Sequence, residues 1–203
     1  MKGDGNPIDF YFEFSSPYGY IAANLVDDLE KRTGRAVMWR PMLLGPVFKL
    51  TGQAPLVEIP LKGEYSKRDF PRTARLHKIP YNHPPKFPIG TAAAVRAFYW
   101  VADRDPEQAR KLAKALYHSY FADGRDIGPP AAVVEVARSV GVDGDALAAA
   151  LEDPAVKERA KQEVDAAIAA GVFGSPFFIV DGEPFWGCDR MPMLEDWIRT
   201  GGW

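Results

Sequence analysis

Residues 8–20 have the sequence IDFYFEFSSPYGY and contain the clearest strand-to-helix transition in the chain. Large apolar side chains alternate with more polar ones over Ile8–Phe14, which predicts a strand with one deeply buried face. Ser16 and Pro17 follow as a predicted N-cap and first helical residue, because the serine oxygen accepts from free amides and proline needs no donor. The helical pattern then continues until Gly34 stops it.

A second strand is predicted over Ala36–Leu44, where the residues are nearly all apolar apart from Arg40 and Pro41. Strand, helix and strand within the first 44 residues make a βαβ unit. Such a unit favours a parallel strand pair joined by a right-handed crossover. The front of the chain is therefore predicted to belong to the α/β class.

Residues 175–200 return to short strands followed by a helix. A buried strand is predicted at Phe177–Val180 and a second at Pro184–Gly187, joined by a hairpin turn at Asp181-Gly182. A closing helix is predicted over Arg190–Thr200, because its apolar residues recur at helical spacing. This part of the chain is a predicted ββα unit.

The segment between these two units has a different character. Pro41–Pro88 is rich in proline and is predicted to be loop-like. Amphipathic helices are predicted after it, over Thr91–Ala102, Asp105–Tyr120, Pro130–Val140, Asp143–Leu151 and Asp153–Ala170. We therefore expect residues 1–45 and 171–203 to form one discontinuous domain, with residues 46–170 as a helical insertion.

Composition limits the classes of function. The chain has 203 residues, 25 Lys and Arg against 27 Asp and Glu, a formal charge of −2 and one cysteine. The near-neutral charge lacks the basic footprint of a protein that binds nucleic acid or a membrane surface. One cysteine cannot form an intramolecular disulfide, a CxxC redox pair or a zinc cluster, so no metal is expected.

The apolar stretches also limit location. They fall short of the roughly 20 residues that a membrane-spanning helix needs. The N-terminal residues MKGDGNPIDF have no apolar core of the kind found in a secretory signal. The sequence therefore predicts a soluble, cytoplasmic protein.

Three loops at predicted strand ends are candidate sites, because ligands of α/β units gather where strands end and helices begin. The first contains Ser16, at a helix N-terminus that can stabilise an anion or a thiolate. The second contains Ser175 and Pro176, where a cis peptide would turn the preceding backbone toward a ligand. In the third, the amides of Cys188 and Asp189 can bind a carboxylate and the Asp189 side chain an amine. Taken alone, each loop is more often a structural cap, turn or surface ion pair.

Taken together, the loops carry a family resemblance. The segments FEFSSPYGY, GVFGSPFFIVDGEPFWG and CDRM, with RPMLLGPVFKLTG and HPPKFPIGT between them, resemble the kappa-class glutathione transferases and 2-hydroxychromene-2-carboxylate isomerases. The resemblance covers nearly the whole chain, and the isomerase pattern is the closer one. It implies a thioredoxin-like fold, in which βαβ and ββα parts enclose a large all-helical insertion, and it implies glutathione as the cofactor.

The resemblance also implies roles for individual residues. Ser16 matches the serine that faces the sulfur of glutathione. Ser175, before a cis Pro176, matches the residue whose backbone pairs with the cysteinyl part of the tripeptide. Cys188 and Asp189 match the pair that holds the γ-glutamyl end, with Asp189 contacting its ammonium group.

Gln53 and Lys62 lie where the family contacts the glycine carboxylate. Gln53 stands where kappa enzymes have asparagine. Cys188 stands where they have serine, which keeps the backbone donor and weakens the side-chain hydrogen bond. Ser16 replaces the first cysteine of thiol-redox relatives, so the resemblance excludes disulfide exchange by the protein's own thiols.

The implied reaction is reversible addition of the glutathione thiolate to a small aromatic carboxylate, 2-hydroxychromene-2-carboxylate. Rotation and expulsion of the thiol then give trans-o-hydroxybenzylidenepyruvate. A cation is needed near the substrate carboxylate, and Lys49 is preferred over Arg40, His83 and Arg190 because it lies in a matched segment. Two alternatives stay open, a kappa-like transferase or peroxidase and a non-catalytic thioredoxin-fold binding module. Relatives are often homodimers, so a homodimer is possible here.

Overall fold

A computed structural model describes residues 5–203. The first strand, β1, covers Ile8–Phe12 and the first helix, α1, covers Pro17–Thr33. The Ser16 side chain accepts a hydrogen bond from Gly19 N, and Gly34 ends the helix in the left-handed region at φ 69°. The predicted cap and both ends of the helix are confirmed, but the strand ends two residues earlier than the alternation in the sequence predicted.

Within residues 5–203 the sheet has four strands, completed by β2 (Val37–Pro41), β3 (Phe177–Val180) and β4 (Glu183–Trp186). Their order is β2-β1-β3-β4. β1 pairs with β2 in parallel and with β3 antiparallel, and β3 and β4 form the predicted hairpin. The βαβ and ββα units therefore share one mixed sheet, with β1 at its centre beside β3.

The proline-rich segment contains two helices, so the prediction that Pro41–Pro88 is loop-like was wrong. Helix α2 covers Leu44–Thr51 and helix α3 covers Lys62–Leu76. The buried stripe of α3 consists of Gly63, Ser66, Phe70 and Ala74. These residues recur at helical spacing but only one of them is a large apolar residue, so the periodic signal in the sequence is weak.

The later helices lie close to their predicted positions. They are α4 (Ala92–Ala102), α5 (Pro106–Phe121), α6 (Pro130–Ser139), α7 (Gly144–Glu152), α8 (Pro154–Ala169) and α9 (Met191–Thr200). The side chains of Asp105, Asp143 and Asp153 accept from backbone amides in the first turns of α5, α7 and α8. None of the helices described is long and apolar enough to span a membrane.

Aromatic residues join the sheet to the helices between its two halves. Phe10 and Phe12 of β1 are fully buried and belong to one core cluster with Tyr117 of α5. On the other face of the sheet, Tyr11 and Phe177 pack in a second cluster with residues of α2 and α8. The helices thus cover the sheet on both faces and form the walls above its strand ends. The division into residues 1–45 with 171–203 and residues 46–170 stays a prediction.

Candidate active site

A cavity of about 1510 Å³ lies where the loop after β1 meets the loop before β3. The cavity is larger than the roughly 300–1,000 Å³ of most small-molecule sites. Seven of the residues that sequence analysis singled out line it, namely Ser16, Gln53, Lys62, Ser175, Pro176, Cys188 and Asp189. The loops at Ser16, Ser175 and Cys188 therefore meet at one site, as the family resemblance implied, and Gln53 and Lys62 join them there.

Ser16 is at the N-terminus of α1 and is half-buried. Its Oγ accepts from Gly19 N at 3.0 Å and donates to the carbonyl oxygen of Ser175 at 3.0 Å. The serine is therefore a helix cap and also a bridge to the loop before β3. Ser16 is thus the helix cap that the structural alternative described, and it also lines the cavity.

The second loop contains a cis peptide bond between Ser175 and Pro176, as the family resemblance implied. Ser175 Oγ accepts from Glu13 N at 2.9 Å, and Pro176 O accepts from Gly187 N at 3.0 Å. The Ser175 side chain packs closely against Gly19, where a Cβ would lie only 2.8 Å from Ser175 Oγ. Glycine at this position therefore leaves room for the second loop. The loop is held against both of the other two candidate loops. A second cis peptide bond, Phe87-Pro88, also lies at the cavity wall and was not predicted.

The third loop begins at Gly187, whose φ of 113° favours glycine. A Cβ there would lie 2.3 Å from a carboxylate oxygen of Asp189, so glycine lets that side chain fold back over the turn. Asp189 is exposed and pairs with Arg190 at 2.9 Å, as the surface ion-pair alternative described. Burial, with the nearby Asp189 charge, raises the pKa of the Cys188 thiol to about 11. The one cysteine of the chain is thus a neutral thiol near pH 7.

Glu13 was not among the predicted site residues, although it lines the cavity and is only 7% exposed. Its carboxylate accepts from Thr91 Oγ1 and, at 2.7 Å, from Ser15 N. Burial raises the pKa of Glu13 to about 7, and these two hydrogen bonds only partly oppose that effect. The alternation placed Glu13 on the outer face of a longer strand. Because β1 ends at Phe12, the chain leaves the strand before Glu13 and this side chain is buried. The one sign of this in the sequence is a glutamate placed between two phenylalanines.

A second missed group lies on α3, where Asp69 lines the cavity. Its carboxylate accepts from Tyr18 Oη at 2.5 Å and from Arg72. Partial burial acts to raise the pKa of Asp69, but these hydrogen bonds outweigh it and hold the pKa below its ordinary value. The group escaped sequence analysis because its helix was predicted to be loop. It fixes the phenol ring of Tyr18 against the cavity next to Ser16.

Of the four side chains considered as cations for a substrate carboxylate, only Arg190 is among the residues that line the cavity. Lys49 is exposed in the last turn of α2 and is not among the lining residues. Arg40 donates to Asp9 at 2.6 Å, and neither it nor His83 lines the cavity. Arg190 does line it, paired with Asp189. The structure therefore does not bring Lys49 together with the other predicted residues, and its catalytic role stays a prediction.

Aromatic side chains make up much of the apolar wall. Those lining the cavity are Tyr18, Phe48, Tyr65, Phe70, Phe87, Phe173 and Trp186. Phe173 and Trp186 pack edge-to-face at the rim, with ring centroids 4.9 Å apart. Flat apolar walls beside a few polar groups are typical of sites for small organic ligands.

The model of the DSBA-like thioredoxin domain matches residues 7–199 of the chain. The chain belongs to the DSBA-like thioredoxin family. A 2-hydroxychromene-2-carboxylate isomerase of Sphingobium xenophagum is 32% identical over 197 residues, covering 94% of this chain and 97% of that protein. A glutathione S-transferase kappa 1 of Caenorhabditis elegans is 26% identical, covering 95% and 90%.

A solved structure of a 2-hydroxychromene-2-carboxylate isomerase superposes on this DSBA-like chain with a TM-score of 0.84 and 28% identity. The superposition covers 93% of this chain and 92% of the other. The thioredoxin-like fold with its helical insertion and the resemblance to the isomerases and kappa transferases are therefore confirmed. Both groups of relatives are similar to this chain along nearly its full length.

Proposed function

We propose that this DSBA-like protein binds glutathione and uses its thiolate to interconvert 2-hydroxychromene-2-carboxylate and trans-o-hydroxybenzylidenepyruvate. The main support for this proposal is the position of Ser16. Its hydroxyl lies at the N-terminus of α1 beside the Ser175-Pro176 cis peptide, where a thiol-redox protein would have cysteine. The chain's own Cys188 is buried with a raised pKa and is a poor nucleophile. A thiol supplied by a ligand accounts for both facts.

The cavity fits glutathione in size and in chemistry. Its volume of about 1510 Å³ leaves room for a tripeptide and a second small molecule. Gln53 and Lys62 would contact the glycine carboxylate, and Lys62 forms no salt bridge within residues 5–203. Cys188 and Asp189 would hold the γ-glutamyl end through backbone amides and a carboxylate. The backbone of Ser175, before Pro176, would pair with the cysteinyl part.

Ser16 would stabilise the sulfur by changing one hydrogen bond. Its oxygen keeps accepting from Gly19 N, while its hydrogen turns from the Ser175 carbonyl toward the ligand. The dipole and free amides at the start of α1 further favour an anion at this position, which lowers the pKa of a thiol placed there. When bound, glutathione supplies the nucleophile that adds to the aromatic substrate and later leaves it.

A kappa-like transferase or peroxidase is the second candidate, and the similarity to kappa transferases favours it. The two activities differ in their balance of thiol, because an isomerase returns glutathione and a transferase or peroxidase consumes it. The non-catalytic binding module is the third candidate. A homodimer and a cytoplasmic location stay predictions.

The test is turnover of 2-hydroxychromene-2-carboxylate with glutathione while the free thiol is counted. We expect turnover without loss of thiol, and Ser16→Ala is expected to lower kcat/KM about a hundredfold, as when one anion-stabilising donor is removed. Ser139→Ala, which removes an exposed hydroxyl at the end of α6, is the matched control. Loss of thiol during turnover favours the transferase or peroxidase, and calorimetry that detects no glutathione binding contradicts the proposal.

A further inference from the structure

The proposed chemistry leaves Glu13 without a role, although this residue lines the cavity and is only 7% exposed. Burying an acid in this way is costly unless a cation or several hydrogen bonds compensate. No charged side chain contributes to its environment among the residues described, and only Thr91 and Ser15 donate to it. An acid retained in this position can exchange a proton with whatever occupies the cavity.

The surroundings of Glu13 contain few other titratable groups. Tyr117 and Tyr120 of α5 face it, and burial raises the pKa of both phenols so that they stay neutral near pH 7. The remaining polar neighbours are Ser15, Thr91 and Ser175, which do not titrate in this range. Glu13 is therefore the group of this cluster that changes charge near neutral pH.

The main chain ties Glu13 to the predicted sulfur position. Glu13 O accepts from Ser16 N at 2.9 Å, and the carboxylate accepts from the amide of Ser15, the residue before Ser16. Glu13 N donates to Ser175 Oγ, and Ser175 O accepts from Ser16 Oγ. Glu13 and Ser16, three residues apart in one short loop, thus line the same cavity.

We propose that the Glu13 carboxylate accepts the proton of the glutathione thiol when the ligand binds. This inference rests on the proposed function. The S–H bond breaks, its hydrogen becomes the O–H of Glu13, and the electron pair stays on sulfur. The negative charge moves from the carboxylate to the thiolate, and the step reverses when the thiol leaves. No other reactant is needed.

Electrostatics favours this exchange over release of the proton to water. A thiolate near the buried Glu13 carboxylate and that carboxylate repel each other, so the pair carries one negative charge more easily than two. Protonation of Glu13 removes that repulsion at the moment when the thiolate forms. Ser16 and the start of α1 then stabilise the charge on sulfur.

The test counts protons and thiolate together near pH 7.5. Glutathione is titrated into the protein by calorimetry in buffers of different ionisation enthalpy, which gives the number of protons released per ligand bound. Ultraviolet absorption of the complex gives the fraction of thiolate. We expect the unchanged protein to release well under one proton per thiolate formed, because Glu13 is mostly ionised at this pH and takes up most of the thiol protons.

Glu13→Gln is the decisive variant. The amide keeps both contacts, since its oxygen accepts from Ser15 N and its nitrogen donates to Thr91 Oγ1. We expect it to bind glutathione either with little thiolate or with about one proton released per thiolate formed. The same thiolate fraction and proton count as in the unchanged protein would overturn the proposal. So would proton release by the unchanged protein in step with its thiolate, or binding of glutathione only as the neutral thiol.

Thr91→Val keeps the carboxylate and serves if Glu13→Gln does not fold. It removes a hydrogen bond that lowers the pKa of Glu13, so the pH at which proton release disappears should move upward. An unmoved pH profile would count against Glu13 as the acceptor. Absence of any glutathione binding by the unchanged protein would instead contradict the proposed function itself, so the two failures are distinguishable.

Discussion

Glu13→Gln gives a prediction about stability that does not depend on any ligand. In the unfolded chain the carboxyl group has its ordinary pKa of 4.5, and in the folded protein burial raises the pKa to about 7. Between these values the folded state holds a proton that the unfolded state has lost, so unfolding becomes easier as pH rises. The difference between the two pKa values corresponds to about 3 kcal/mol, lost between about pH 4 and about pH 8.

Urea denaturation at a series of pH values measures this effect. The free energy of unfolding of the unchanged protein, minus that of Glu13→Gln, should fall by about 3 kcal/mol over that range. Taking this difference cancels the pH dependence that comes from titratable groups present in both proteins. The substitution Glu158→Gln, at an exposed position of α8, is the matched control, because it also removes one carboxylate. A difference for Glu13→Gln that stays constant with pH would refute a buried, titrating Glu13.

Two further predictions concern packing and capping. Phe12→Ala should lower the free energy of unfolding by about 3–5 kcal/mol, because this fully buried ring contacts Trp39, Phe98 and Tyr117. Urea denaturation measures the loss, and a value below about 1 kcal/mol would contradict the described core. Asp153→Ala should cost about 1 kcal/mol, because its side chain accepts from Ala155 N at 2.8 Å at the start of α8. Asp153→Asn, which keeps an accepting oxygen, should retain most of that stability, and an equal loss in both variants would argue against the cap.

Much of the fold could be predicted because local rules and tertiary structure agree in most elements. The alternation of β1, the cap at Ser16 and the stop at Gly34 each have a local physical cause. Helix α3 lacks such a cause. Its N-cap position, Leu61, makes no side-chain cap hydrogen bond, Pro71 lies inside the helix and its buried face consists mostly of small residues. Packing against neighbours stabilises this helix, and a single sequence does not display that packing.

The site divides in the same way. Ser16, Ser175 and Cys188 could be identified because turn and cap residues mark the ends of strands and helices. Glu13 was missed, because its place between Phe12 and Phe14 does not reveal that β1 ends before it or that Thr91 and Ser15 donate to it. Asp69 depends on a helix that the sequence does not announce. Residues whose role arises from contacts distant in the sequence were the ones missed.

The hydrogen bonds between Glu13 and Ser175, and between Ser16 and Ser175, join residues separated by 162 and 159 positions. On a ribosome that adds about 5–20 residues per second, the second partner is made on the order of ten seconds after the first. During that interval β1 lacks β3, its antiparallel neighbour, and one of its edges is open to other chains. A product that stops before Phe177 therefore has an exposed strand edge, which favours association with other chains, and it lacks Cys188 and Asp189 of the cavity wall.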